Sequence, residues 1–331
     1  MTASFNLSSM TVGEIISRSW RLYRLNIKDV ILFTLIPSVI YTVAQVFLNL
    51  PSAFLSDPSA ASNPVVMGST CCFFYPAGFL LLFGGMFVAI FFNGCLIKAF
   101  YNKLTGKVVR FKEIINYINQ FMPRFLKLCG LLALEIFVFT FLDVILLIAC
   151  YMAFLVPMML GIAAGREEPV IAGIGVVAGI VLFMIALIIM TMIVMMQFFL
   201  CTLQIVIVVL EDTPVLKTIP KSIDLISRNL WRSTGFMFAI VMLWYVLAFY
   251  FNLPASIFMM VMMFKEGIAG SAQPPVFIII LVTTWSYMVS MFIWPFLVSG
   301  ITMFYYDMRV RSEGLDLKLS VEHLKSRAVL N

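Results

Sequence analysis

The chain has 331 residues, of which 63% are hydrophobic and 11% charged, with a formal net charge of +6. A soluble domain carries about 25% charged residues, and 32 Phe with 23 Met present more apolar surface than one aqueous core buries. That balance excludes a soluble enzyme or a nucleic-acid-binding domain and requires a bilayer around most of the chain.

Residues 1–28 lack the continuous apolar stretch of a cleavable signal, because Glu14, Arg18, Arg21 and Arg24 interrupt it. The first span is therefore expected to act as its own insertion signal. Apolar runs follow at about 30–50, 73–98, 127–156, 171–209, 234–263 and 276–304, each long enough to cross hydrocarbon. The fourth run is nearly two bilayer cores long at about 1.5 Å per residue. No Gly or Pro marks a turn near residue 190, so it reads as one long helix, kinked or projecting beyond the membrane.

Charge orients the spans. Under a six-span reading, 20 of the 22 Lys and Arg residues fall on one side, leaving Arg166 and Lys265 on the other. Basic residues accumulate on the cytoplasmic face, so both termini are expected inside, with 305–331 as a cytoplasmic tail. Seven spans would put the basic C-terminal half outside.

Each odd-numbered span follows a segment with apolar residues at helical spacing. Residues 11–26 carry them at 12, 15, 16, 20, 22 and 23; residues 110–125 at 111, 114, 115, 118, 121, 122 and 125; residues 213–230 at 215, 216, 219, 223, 226 and 230. Thr213 and Pro214 predict a capped start for the third segment, and Pro220 a kink. The first and third segments align at a constant offset through Ser19/Ser222, Leu22/Leu225 and Asn26/Asn229. The expected fold is therefore an all-α integral membrane protein forming one polytopic domain over 1–331. Its six transmembrane helices pair as three hairpins, each preceded by an amphipathic interfacial helix.

Such helices sink their apolar faces into the headgroup boundary while cations meet anionic lipid, each cation contributing about 1 kcal/mol. Arg18, Arg21, Arg24, Lys112, Lys221 and Arg228 are the candidate inner-leaflet contacts for lipid or for a partner protein, with Trp20 and Trp231 as interface anchors.

No cofactor is implied. The six cysteines show no metal or redox spacing, and His323 is the single histidine, which excludes a multi-histidine metal centre. Neither HExxH nor paired aspartates at catalytic spacing occur, so an intramembrane enzyme is the least supported class.

Two acids interrupt the third run. Placed from Lys127, Glu135 lies about 12 Å and Asp143 about 24 Å along the helix, in a core of about 30 Å. Asp143 is expected to reach water or Thr140. Glu135 sits near mid-membrane, where acids face a bundle interior and mark solute paths. It is expected either to hydrogen-bond Asn93, Gln197, Gln204 or a backbone carbonyl as a structural group, or to handle a proton or solute. Pro37, Pro157, Pro254 and Pro295 are expected to interrupt helices, as in transporters.

After the last run comes Tyr305, Tyr306, Asp307, Arg309, Arg311, Glu313, Gly314 and Asp316. Asp307 and Arg311 are i, i+4 partners on a continued helix, which Gly314 would end. With "GEIISRSWRLYRLN" at 13–26 and "VVLEDTPVLKTIPKSIDLISRN" at 208–229, the string "YYDMRVRSEGLDL" at 305–317 resembles the membrane-domain family of glycerophosphoryl diester phosphodiesterases and its stand-alone bacterial relatives. The resemblance implies a multi-pass helical bundle in a bacterial inner membrane. It implies no phosphodiesterase activity, since that chemistry belongs to a separate soluble domain. The expected function is thus non-enzymatic, organising lipid or docking a partner at the cytoplasmic face. A secondary transporter or channel using Glu135 is the alternative.

Overall fold

The computed structural model describes residues 10–55, 64–105, 109–164, 169–211, 213–268 and 276–313. Its elements are α1 (Val12–Leu55), α2 (Pro64–Leu104), α3 (Phe111–Gln120), α4 (Met122–Ala164), α5 (Pro169–Glu211), α6 (Val215–Ser227), α7 (Leu230–Ile268) and α8 (Val276–Glu313). Six of these, all but α3 and α6, are long and apolar enough to cross a membrane. In hydrocarbon the backbone has no water to bond, so a helix satisfies its own amides. That constraint also explains the four prolines expected to interrupt: each lies inside an unbroken helix. Opening the chain there would strand several amides at several kcal/mol each, against a proline penalty of about 3 kcal/mol.

The segments before the odd spans differ from expectation in their joints. Residues 11–26 and 30–50 form one helix, since α1 runs 44 residues without a break. Its start is set by a reciprocal cap: the Thr11 amide donates to Glu14 Oε2 at 2.7 Å, and the Glu14 amide to Thr11 Oγ1 at 3.3 Å. Residues 110–125 are instead split at Phe121, whose amide closes a tight turn onto the Ile118 carbonyl at 2.9 Å. Pro123 forces this, having no amide and clashing with the preceding turn; at the start of α4 it is tolerated.

For α6 the Thr213 cap does not form. Pro214 occupies the cap position with φ −59° and ψ 137°, and the buried Thr213 hydroxyl has no hydrogen-bond partner among the described residues. Thr213 stands one residue too early to reach the first free amides. The helix continues through Pro220 to Ser227. The aligned positions behave alike. Ser19 and Ser222 are fully buried and bond the carbonyls of Ile15 and Ile219, and Leu22 and Leu225 are buried beside them.

The residues gather into two compact units. One comprises Met1–Phe125, Ile205–Asp212 and Ala239–Asn331; the other Leu126–Gln204 and Thr213–Phe238. In the first, α1 packs along α2 and α8. It runs antiparallel to α8: Met10, Ser19 and Tyr23 bond Asp307, Ser299 and Phe292 in descending order. Phe33, Phe100, Phe296, Phe304 and Tyr305 are fully buried there. The apolar face of α3 also turns inward: Ile114 and Ile118 are buried, and Phe111 stacks on Phe33 at 4.8 Å.

In the second unit α4 and α5 meet through small residues. A Cβ on Gly175 would lie 2.5 Å from the Gly161 Cα, and one on Gly179 would lie 2.9 Å from the Phe154 carbonyl oxygen. Lipid tails are as apolar as leucine, so helices in a bilayer associate by such close backbone approach. Many large apolar side chains elsewhere on both helices, such as Phe137 and Ile188, are exposed, as lipid-facing positions should be. Gly175→Leu is expected to separate the helices and lower stability by about 1–3 kcal/mol. Thermal melting in detergent checks this, with Gly173→Leu, at a position open on all sides, expected to melt as wild type.

Candidate functional site

The string 305–311 forms the last turns of α8 and carries a bonded polar cluster of the first unit. Residues two apart on a helix point about 200° apart, and residues four apart nearly coincide. Tyr305 and Arg309 therefore share one face, Asp307 and Arg311 the other.

The first face meets Glu211 at the end of α5. The Tyr305 hydroxyl donates to Glu211 Oε1, and Arg309 Nη1 lies 3.4 Å from the same oxygen. The second face meets the chain start. Asp307, fully buried, accepts from the Met10 amide at 2.7 Å and from Arg311 Nε at 3.2 Å. Arg311 Nη2 closes the ring by donating to the Met10 carbonyl at 3.1 Å. A buried carboxylate holding charge-assisted bonds from two chain segments is a strong tie, and it joins residues 297 apart.

Rings extend the cluster. Tyr306 stacks on Tyr101 with centroids 5.9 Å apart. Lys98 Nζ lies 3.8 Å from the centroid of Tyr117 on α3, a cation–π contact. Burial raises the Tyr117 phenol above its usual range. Nearby, Lys103 pairs with Asp29 at 2.8 Å. With its carboxylates and guanidinium groups engaged, the arrangement is a clasp rather than an open site for chemistry. Glu313 belongs to α8, its side chain lying outside the described residues, as do Gly314 and Asp316 altogether.

The two intramembrane acids lie in the second unit, and α5 supplies partners for both. Gln204 Nε2 donates to Glu135 Oε1 and Oε2 at 3.0 and 2.9 Å, with Cys201 Sγ at 3.7 Å. Asp143 accepts from Gln197 Nε2 at 3.2 Å. Thr140, expected beside Asp143, bonds the Ile136 carbonyl of its own helix at 2.7 Å. A threonine in a helix satisfies itself this way, whereas a glutamine reaches across. Asn93, another expected partner of Glu135, accepts from Trp294 Nε1 at 2.7 Å. The buried Gln204 Oε1 has no hydrogen-bond partner among the described residues.

Of the candidate lipid contacts, Arg21, Arg24, Lys112 and Arg228 are exposed, while Arg18 and Lys221 are half-buried. Arg228 pairs with Asp224 one turn back at 2.9 Å. Trp231 is 88% exposed and Trp20 43%. Glu211, Tyr101 and Lys98 were not singled out from sequence. An acid ending a long apolar run was the available signal for Glu211. Among the described residues, no group of three His, Cys, Asp or Glu could hold a metal ion.

Asp307→Ala is expected to cost about 2–3 kcal/mol, because it removes a buried acceptor and strands the Arg311 guanidinium. Arg311→Ala should cost less, since its side chain is 36% exposed. Midpoints of thermal inactivation followed by size-exclusion chromatography order the two variants.

Comparison of the chain with family models, with curated proteins and with solved structures gives no match.

Proposed function

We propose that this chain is a non-enzymatic multi-pass protein of a bacterial cytoplasmic membrane, belonging with the membrane-domain family it resembles. Its cytoplasmic-end segments 11–26 (at the start of α1), 110–125 and 213–230 organise anionic lipid at the inner leaflet through their exposed cations. Both termini lie on the cytoplasmic side. The single-sided distribution of Lys and Arg supports that orientation, and so does the tie between Met10 and the end of α8.

The observation that carries the lipid reading is the surface of α6. Leu216 and Ile223 are 76% and 50% exposed, and Trp231 follows at the start of α7. They are interleaved with the exposed cations Lys217 and Arg228. Apolar side chains that the protein leaves uncovered next to cations match a headgroup boundary.

Arg21→Glu, Lys112→Glu and Arg228→Glu combined are expected to weaken association with anionic vesicles by about tenfold or more at low salt. Flotation of the purified protein in detergent-destabilised vesicles measures it. Unchanged flotation, with a co-purifying protein lost instead, would assign the surface to a protein partner.

A second reading, a transporter or channel, is favoured by Glu135 held between α4 and α5 by Gln204. Acids at such depth commonly line ion or solute paths. It predicts proton-coupled flux in reconstituted vesicles that Glu135→Gln abolishes. A structural role predicts no flux and a modest stability loss of about 1 kcal/mol.

A further inference from the structure

The first unit contains a groove of about 480 Å³ between α1, α7 and α8. Its walls include Trp20, Phe251, Trp285, Met288 and Phe292, and among the described residues Arg24 is the one charged side chain lining it. Three contacts fix its shape. Trp20 stands edge-on to Phe296 with centroids 5.5 Å apart. The Tyr23 hydroxyl donates to the Phe292 carbonyl, and Trp285 Nε1 to the Phe251 carbonyl at 3.1 Å. The walls are thus bonded between helices instead of merely collapsed together. All three helices are apolar enough to cross a membrane, and Trp20, Phe251, Trp285, Met288 and Phe292 are exposed along the groove, as suits a lipid-facing opening.

We propose that this groove binds one acyl chain of an anionic phospholipid, with the lipid phosphate on Arg24. This rests on the lipid-organising function and narrows it to a single bound molecule.

Size selects the occupant. From Trp285 to Phe296 the groove spans about 16 Å along α8, about half of a 30 Å core. That is the depth of one leaflet, hence of one chain.

Charge selects the headgroup. Hydrocarbon against hydrocarbon gives no preference in a bilayer, so discrimination must come from Arg24. Arg309, Arg311, Arg228 and Lys103 each pair with a carboxylate. Arg24 is exposed and makes no ion pair among the described residues. Its planar guanidinium suits a phosphate, which accepts two parallel bonds from it.

The test is native mass spectrometry of the full chain. It is purified in detergent and offered equal amounts of phosphatidylglycerol and phosphatidylcholine with identical acyl chains. Wild type is expected to retain one lipid, with phosphatidylglycerol favoured by about fivefold, the effect of one arginine near an anionic surface. Arg24→Gln, at an exposed position, should keep the lipid while that ratio falls to about one. Met288→Trp should fill the groove and abolish the one-to-one adduct. Equal retention of both lipids by wild type overturns the proposal. So does an adduct unaffected by Met288→Trp, or a change of oligomeric state in place of lipid loss. The groove fails alone if these results occur while reversal of Arg21, Lys112 and Arg228 still weakens vesicle flotation. The wider function fails alone if flotation is unaffected and the one-to-one adduct persists.

Discussion

A peptide group in hydrocarbon has no water to bond, and each unsatisfied amide or carbonyl costs several kcal/mol. Much of this chain's form follows from that constraint. Its apolar runs become helices of 38 to 44 residues, all but α5 passing through internal prolines. Such helices are about 60 Å long, twice a bilayer core. Their ends therefore lie beyond hydrocarbon, and the charged residues concentrate there. Breaks come where the chain cannot continue a helix, as at Phe121 ahead of Pro123.

The same constraint governs the polar groups that remain. An acid that cannot reach water must find a partner on a neighbouring helix. Glu135 finds Gln204 and Asp143 finds Gln197. Beyond the apolar run of α8, Asp307 gathers the Met10 amide and Arg311, while Glu211 gathers Tyr305 and Arg309. These pairs differ in consequence. Loss of Glu135 strands one amide side chain, whereas loss of Asp307 releases the start of α1 from α8. The clasp is closed around its own partners, which favours a structural role for the 305–311 string. Exposed cations such as Arg21, Arg24 and Lys112 remain to meet whatever lies at the membrane surface.

Local patterning made part of this legible. Helical spacing of apolar residues around 111–118 and 215–226 corresponds to α3 and α6, because an amphipathic face is written in consecutive residues. The cap formed by Thr11 and Glu14 was not singled out, although a threonine three residues before a glutamate is its signal. Thr213 carried a similar signal and does not cap, since Pro214 takes the position. The face of α3 shows the limit of periodicity: it identifies an apolar side without saying whether lipid or protein covers it. Ile114 and Ile118 are covered by protein.

The sequence by itself determined that this is a multi-pass helical membrane protein with six long apolar helices, because hydropathy over 20 residues is a local property. It also paired Asp307 with Arg311, neighbours by helical geometry alone. Tertiary structure decided which polar groups meet across the chain. Asn93, Gln197 and Gln204 were equivalent candidates for Glu135, and only Gln204 lies at its level on the facing helix. Glu211 with Tyr305, and Met10 with Asp307, join residues 94 and 297 apart. Such meetings depend on how helices stack and slide against each other, which the composition of either helix alone does not encode.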